Sequence, residues 1–141
     1  MNSHDISQSP ILAQQAYSFA LQFAEQGPDF LSTHLPGQFV VGTPTGANTV
    51  SRDRFIEAAL VRAALVTGQS LTPPSLVGVD CVDLGEAYLL ITAYWTMPLP
   101  TGQNLDGLTE DFLIDRTGPQ WICLAYLLRQ NLPGLLAGVT V

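Results

Sequence analysis

Few side chains in this sequence have the chemistry for catalysis, and Asp111 is the most telling of them. It sits between apolar residues in the alternating run 108–116, where a carboxylate without partners is costly to bury. Turned inward, it would lose hydration and hold its proton at higher pH than an ordinary aspartate. Turned outward, it would be a surface acid; strand parity alone leaves both open. Asp115, two residues on, shares its face but borders a turn. Tyr17 lies in an apolar helical sector, where a hydroxyl is either a pocket donor or a satisfied core group. Arg129 closes the last strand-like run, and His34 precedes the first. Ser3-His4-Asp5 has the residue types of a hydrolytic triad, but a flexible terminal stretch cannot hold three groups in geometry.

Metal and redox chemistry find no footing in the remaining residues. The histidines are His4 and His34, and Cys81 and Cys123 stand far apart inside apolar patterns. No zinc-ligand spacing results, and both cysteines read as reduced, buried thiols of a cytoplasmic protein. Residues 1–9 lack the basic and apolar regions of a signal peptide. The longest apolar run, 87–95, is too short for a membrane span. Five arginines, no lysine and twelve acids give a net charge of −7. Such a field repels phosphate, which argues against nucleic acid and anionic membranes as partners.

The 141 residues are 47% hydrophobic and 12% charged, too apolar for a disordered chain and of a length for one domain. The elements are legible from their punctuation. A first helix begins at Pro10 with Ser9 as N-cap and stops at Gly27-Pro28. Its apolar sector, roughly 200° wide, takes in Leu12, Tyr17, Phe19, Leu21 and Phe23, so other structure should enclose it. A short helical piece at 29–34, a brief strand at 38–42 and a loop at 43–48 follow. A second long helix covers 52–67 behind Ser51, with Phe55, Ile56, Ala59, Leu60, Ala63 and Val66 as its core stripe. From there the period changes to two, with strands at 76–82, 86–97, 108–116 and 121–129. Helices followed by an antiparallel meander define an α+β domain over 9–131. Residues 1–8 read as a flexible tail. The uncharged, apolar stretch 132–141 reads as a tail packed on the domain or on a partner.

The strands are apolar on both faces. Ile122, Leu124, Tyr126 and Leu128 alternate with Cys123, Ala125 and Leu127, and Leu89, Ile91 and Trp95 with Tyr88, Leu90 and Tyr94. A solvated meander would alternate with polar residues. The helices cover one face. A second copy is expected on the other, in a twofold contact around Tyr88, Leu90 and Tyr94.

The order of elements resembles the nuclear-transport-factor-2-like superfamily. Two runs carry the likeness: Ser51-Arg52-Asp53-Arg54-Phe55-Ile56, opening the second long helix, and residues 111–122 (DFLIDRTGPQWI), spanning two strands and their turn. It extends over roughly residues 9–130. The resemblance implies a cone-shaped α+β barrel, with a curved antiparallel (mixed) sheet wrapped around N-terminal helices and a deep pocket. It also implies dimers formed through the outer sheet surface. In the ketosteroid isomerase branch, a helix-one Tyr and a protonated Asp on the penultimate strand form an oxyanion hole; Tyr17 and Asp111 match those places. The proton-moving Asp of that branch has no counterpart, because the equivalent neighbourhood reads Gly42-Thr43-Pro44. The Asp–Arg–Asp set of the epoxide-hydrolase branch is replaced by Tyr94 and Leu127. The dehydratase branch uses buried His and Asp, toward which His34, with Asp29 nearby, is the one pointer.

The expected site is therefore a cone pocket without metal or organic cofactor. Tyr17 and Asp111 are its catalytic pair, and Phe23, His34, Phe39, Thr43, Trp95, Leu113 and Arg129 complete its walls. The expected function is binding of a small, mainly apolar molecule. Two alternatives stand beside it: a cofactor-independent cyclase, isomerase or dehydratase using Tyr17 and Asp111, and a dimeric association domain.

Overall fold

Helix α1 (Pro10–Glu25) ends where Gln26 takes a left-handed φ of 55° and Gly27 turns the chain into α2 (Pro28–His34). Pro28 suits that start because its fixed φ is already helical and it has no N–H to leave unsatisfied. The computed structural model describes residues 10–68 and 74–130; the expected tails, 1–8 and 132–141, lie outside the described residues. Strands β1 (Gln38–Thr43) and β2 (Gly46–Ser51) form a hairpin and lead into α3 (Arg52–Gly68). Ser51 Oγ accepts from the Arg54 backbone N–H at 3.2 Å, capping α3. Then come β3 (Ser75–Asp83), β4 (Tyr88–Pro98), β5 (Asn104–Asp115) and β6 (Ile122–Leu128). No helix among the described residues is long and apolar enough to cross a membrane.

The strands form one six-stranded sheet in the order β2-β1-β6-β5-β4-β3. Its pairings are antiparallel except between β1 and β6, which run parallel. The fold is therefore α+β with a mixed sheet, curved around the helices. The hairpin corrects the expected loop at 43–48. Only Pro44 and Thr45 lie outside strands there, and Thr43 Oγ1 donates to the Gly46 carbonyl at 3.2 Å. Gly46 has a φ of 148°, open to glycine and strained for other residues. Turn residues in the sequence marked a real turn, but a tighter one than their number suggested.

Register decides which side chains meet the helices. On β4, Leu89, Ile91, Ala93 and Trp95 point inward and are buried. Their partners on β5 include Phe112 and Ile114, which lose all contact with water. On β6, the pairing jumps from Leu113–Ala125 to Ile114–Cys123, so Leu124 is an extra, bulged residue. The bulge brings Cys123 onto the inward face with Tyr126, a departure from the strict alternation expected for that strand. Cys81 and Cys123 are both buried and free, on strands separated by β4 and β5. Three sheet spacings of about 4.8 Å put them far beyond disulfide reach.

The enclosed face of α1 is narrower than its composition suggested. Leu12, Ala16, Phe19, Ala20 and Phe23 are buried, whereas Tyr17 and Leu21 keep 39% and 38% of their surface. The stripe on α3 is likewise narrower, since Phe55 and Ala59 are buried but Leu60 is exposed. Sequence periodicity cannot distinguish a helix that packs on one sheet from one that is surrounded.

Aromatic rings join the layers. Phe23 lies 5.0 Å from Phe112 and 4.9 Å from Tyr126, between centroids, and Phe39 meets Phe55 at 5.1 Å. Phe23→Ala removes the ring linking α1 to β5 and β6. The expected loss is about 3–5 kcal/mol of unfolding free energy, read from urea denaturation of the two proteins. A loss under about 1 kcal/mol would mean that α1 does not pack on the sheet as described.

Candidate functional site

Strand β5 is buried on both faces, so its acids at 110 and 111 point opposite ways. Glu110 pairs across the sheet with Ala93 and Leu128 and shares the inward face with Leu108, Phe112 and Ile114. Asp111 pairs with Thr92 and Leu127 on the outward face. The acid that meets the helix side of the sheet is therefore Glu110. The expectation that Asp111 faces the cone is corrected by one residue of parity.

Glu110 has few polar neighbours. The Tyr126 hydroxyl donates to its Oε2. The indole of Trp95 is near enough to favour the charged carboxylate, although it makes no hydrogen bond of good geometry. Among the described residues, the Trp95 Nε1–H is thus a buried donor with that carboxyl beside it but without a well-formed hydrogen bond, an arrangement that normally has a cause. Loss of hydration is the largest influence on Glu110. It outweighs both lowering contacts, so the carboxyl titrates above the ordinary glutamate range. Yet Glu110 keeps partial exposure, as do Val41, Ile56 and Leu128, which pack at the edge of the same core. Glu110 is therefore largely enclosed and still touched by solvent.

Asp111 behaves in the opposite way. Its carboxylate takes a two-pronged contact from Arg129, Nε to Oδ2 at 2.8 Å and Nη2 to Oδ1 at 2.9 Å. Thr92 Oγ1 adds a hydrogen bond of 2.7 Å. Burial is the largest single influence and raises its pKa. The hydrogen bonds from Arg129 and Thr92 and the guanidinium charge together win, so the pKa is lowered. This corrects the expected upward shift: an acid held by a guanidinium is no proton donor. Asp115 accepts from the N–H and hydroxyl of Thr117, whose hydrogen bonds lower its pKa, and shapes the turn there.

Tyr17 and Asp111 are not brought together. Tyr17 donates to the Leu76 carbonyl at 3.2 Å, joining α1 to β3, while Asp111 lies on the sheet face turned away from the helices. Among the expected wall residues, Phe23, Phe39 and Trp95 point inward and are buried. Leu113 and Arg129 are outward, and Thr43 belongs to the exposed hairpin turn. His34 is at neither place: its Nδ1 lies 2.7 Å from the Trp121 carbonyl, at the other end of β6. Glu110 and Tyr126 were missed from the sequence. A usable signal existed, because Leu108, Glu110, Phe112 and Ile114 form one alternating set, and a phenylalanine between helices and sheet fixes the direction of all four. Among the described residues, no three His, Cys, Asp or Glu side chains converge as metal ligands.

No protein-family model matches the chain, and no curated protein matches it in sequence. Solved structures do. The chain is similar to an NTF-2 like protein of unknown function from Shewanella oneidensis MR-1, at 9% identity and a TM-score of 0.58, covering 85% of this chain and 95% of that one. It is also similar to an NTF2-like protein of unknown function in nutrient uptake from Rhodospirillum rubrum ATCC 11170, at 19% and 0.55, covering 82% and 95%. A protein of unknown function with a cystatin-like fold from Nostoc punctiforme PCC 73102 matches at 7% and 0.56, covering 85% and 90%. The chain has the NTF2-like fold, and at such identities the likeness is one of fold.

The two neighbouring acids give opposite pH signatures. A raised folded pKa at Glu110 costs stability once the unfolded carboxyl ionises near ~4.3, so the penalty grows as pH rises through the folded value. Glu110→Gln should therefore gain stability relative to wild type as pH rises, and show least difference at acidic pH. A lowered folded pKa at Asp111 contributes stability above ~3.9 that is lost as pH falls through the folded value. Asp111→Asn should cost about 1–2 kcal/mol at neutral pH, discounted for the exposed Arg129, and progressively less below that range. Urea melts across acidic to neutral pH check both. Parallel curves for wild type and Glu110→Gln would remove Glu110 as a buried acid.

Proposed function

We propose that the protein binds a small, mainly apolar molecule in the recess beside Glu110, at the open end of its cone. One observation carries the reading: a buried indole donor with no well-formed hydrogen bond among the described residues, beside an acid of raised pKa, with apolar neighbours. A core built for stability alone would fill these positions with apolar side chains, because each unpaired polar atom there is costly. A ligand oxygen can accept from Trp95 Nε1, while Glu110 donates when protonated or accepts when ionised. Tyr126 holds that carboxyl in place. Val41, Ile56 and Leu128 suit the apolar body of the ligand. The binding reading is favoured over the enzyme reading because Tyr17 and Asp111, the pair the latter needs, stand on different sides of the sheet.

2-Naphthol, which has a flat apolar body and one hydroxyl, is a suitable probe. Titration calorimetry should show saturable binding, and Trp95→Phe and Glu110→Gln should each weaken it by about tenfold, or about 1.4 kcal/mol. Binding unchanged in both variants, or absent from the wild type, refutes the site.

The proposal extends to a homodimer through the outer sheet face. Val40, Val82, Tyr88, Tyr94 and Leu127 are exposed there, a concentration of apolar surface that association would cover. The interior thiols suit the reducing cytoplasm. Light scattering should give twice the 15.2 kDa chain mass, and a Tyr94→Arg, Leu127→Arg variant should fall to the single-chain value. A wild-type monomer at micromolar concentration counts against the dimer.

A further inference from the structure

A second candidate site lies outside the cone, in a groove of about 440 Å³ between α1, α2 and the turn that precedes β6. Strand β6 separates it from Glu110: Trp121 stands just before that strand, whereas the Glu110 partner Leu128 ends it. Seven residues of extended chain make the separation about 23 Å. The groove therefore stands or falls independently of the cone reading.

Its lining has a definite chemical character. Gln14, Gln15, Ser18 and Gln22 of α1 and Gln120 from the turn line it, and among the described residues no charged side chain does. None of these five side chains has a hydrogen-bond partner among the described residues. A carboxamide both donates and accepts, as does a hydroxyl, so these groups match a ligand whose polar groups also do both. The floor is aromatic. Phe19 is 5.4 Å from Phe30, 5.5 Å from His34 and 5.9 Å from Trp121, and Phe30 and His34 lie 4.2 Å apart.

His34 is oriented for one task. The Trp121 carbonyl oxygen only accepts, so the Nδ1 facing it at 2.7 Å carries the proton and donates. In the neutral ring Nε2 is then an acceptor, and it has no hydrogen-bond partner among the described residues. Nor is it among the polar atoms sealed from solvent. A fixed acceptor, several carboxamides, ring faces and no charge call for a neutral ligand with hydroxyl groups and an apolar ring face. An anion would meet no cation among the described lining residues and a net charge of −7 on the chain. A cation would meet no carboxylate among those residues.

We propose that this groove is a binding site for a neutral saccharide, with a hydroxyl donating to His34 Nε2, the glutamine amides pairing with other hydroxyls, and the sugar ring lying on Phe30 and Trp121. The test is a nitrogen-resolved NMR titration of the full-length protein with glucose and maltose, with glucose 6-phosphate and glucosamine as charged analogues. Saturable shifts at the Gln15 and Gln22 amides, the Trp121 indole and His34 Nε2 with a neutral sugar, and weaker ones with both charged analogues, support the site. Gln15→Ala with Gln22→Ala, both exposed positions that leave the core intact, should weaken binding by about tenfold without moving the melting temperature. His34→Asn keeps a donor for the Trp121 carbonyl while its shorter side chain puts no acceptor at the Nε2 position, and should weaken binding similarly. The proposal is overturned by the absence of saturable shifts with either neutral sugar. Equal response to the charged analogues, or undiminished binding in the double glutamine variant, overturns it as well.

Discussion

Phe112 is the side chain on which the arrangement of this protein turns. It is wholly buried, with its ring 6.1 Å from Phe19 and 5.0 Å from Phe23 on the helix and 5.3 Å from Tyr126 on the neighbouring strand. Burying a phenylalanine contributes about 1.5–3 kcal/mol, and removing one from a core costs more because a cavity remains. A one-residue slip of β5 would turn Phe112 and Ile114 outward and press Asp111 against the helices. The inward phenylalanine thereby commits Glu110 to the interior and Asp111 to the exterior.

The two faces of the sheet deal with their acids differently. Inside, Glu110 has a tyrosine hydroxyl and a nearby indole but no cation among the described residues, so desolvation prevails and the carboxyl holds its proton more firmly. Outside, Asp111 has Arg129 and Thr92, Asp80 accepts from the Tyr94 hydroxyl and Asp106 from Thr96. Those contacts let an acidic sheet carry exposed apolar residues beside its carboxylates, and an apolar face with its polar atoms already paired is suited to being covered. Arg116 serves the sheet edge in the same manner. Its Nη2 donates to Asp83 Oδ1 and to the carbonyls of Gly85 and Tyr88, tying the β3–β4 turn to the end of β5.

Chemistry is thus distributed over places separated by the sheet and by the length of β6. Glu110 is a proton-holding acid among apolar neighbours, whereas the described lining of the groove at His34 is uncharged and rich in amides. The same aromatic cluster supports both, since Phe19 touches the groove rings and Phe112. An NTF2-like fold has room for this because its helices cover one face of a curved sheet and expose polar residues such as Gln14, Gln15 and Gln22 on their other side.

Much of the fold was legible without coordinates. Ser51 as a cap, the Gly27-Pro28 break, the helices, the four-strand meander and the two-sided apolar pattern of β4 are local facts of composition and period, and each has its counterpart in the structure. The β1–β2 hairpin was compressed into a loop because Pro44 and Gly46 mark a turn without stating how tight it is. The site was less legible. Asp111 was singled out for lying among apolar neighbours, but Glu110 lies among them too, and only packing against α1 distinguishes their faces. Tyr17 shared an apolar sector that one sheet could not enclose, so its hydroxyl meets the Leu76 carbonyl. Propensity, capping and period act between residues close along the chain, and the sequence alone determined them. The direction of each acid, the partner of each hydroxyl and the bulge at Leu124 depend on side chains meeting from distant segments, as at the 18 positions between Asp111 and Arg129. Those contacts arise only when the sheet closes on the helices, and the tertiary structure alone decided them.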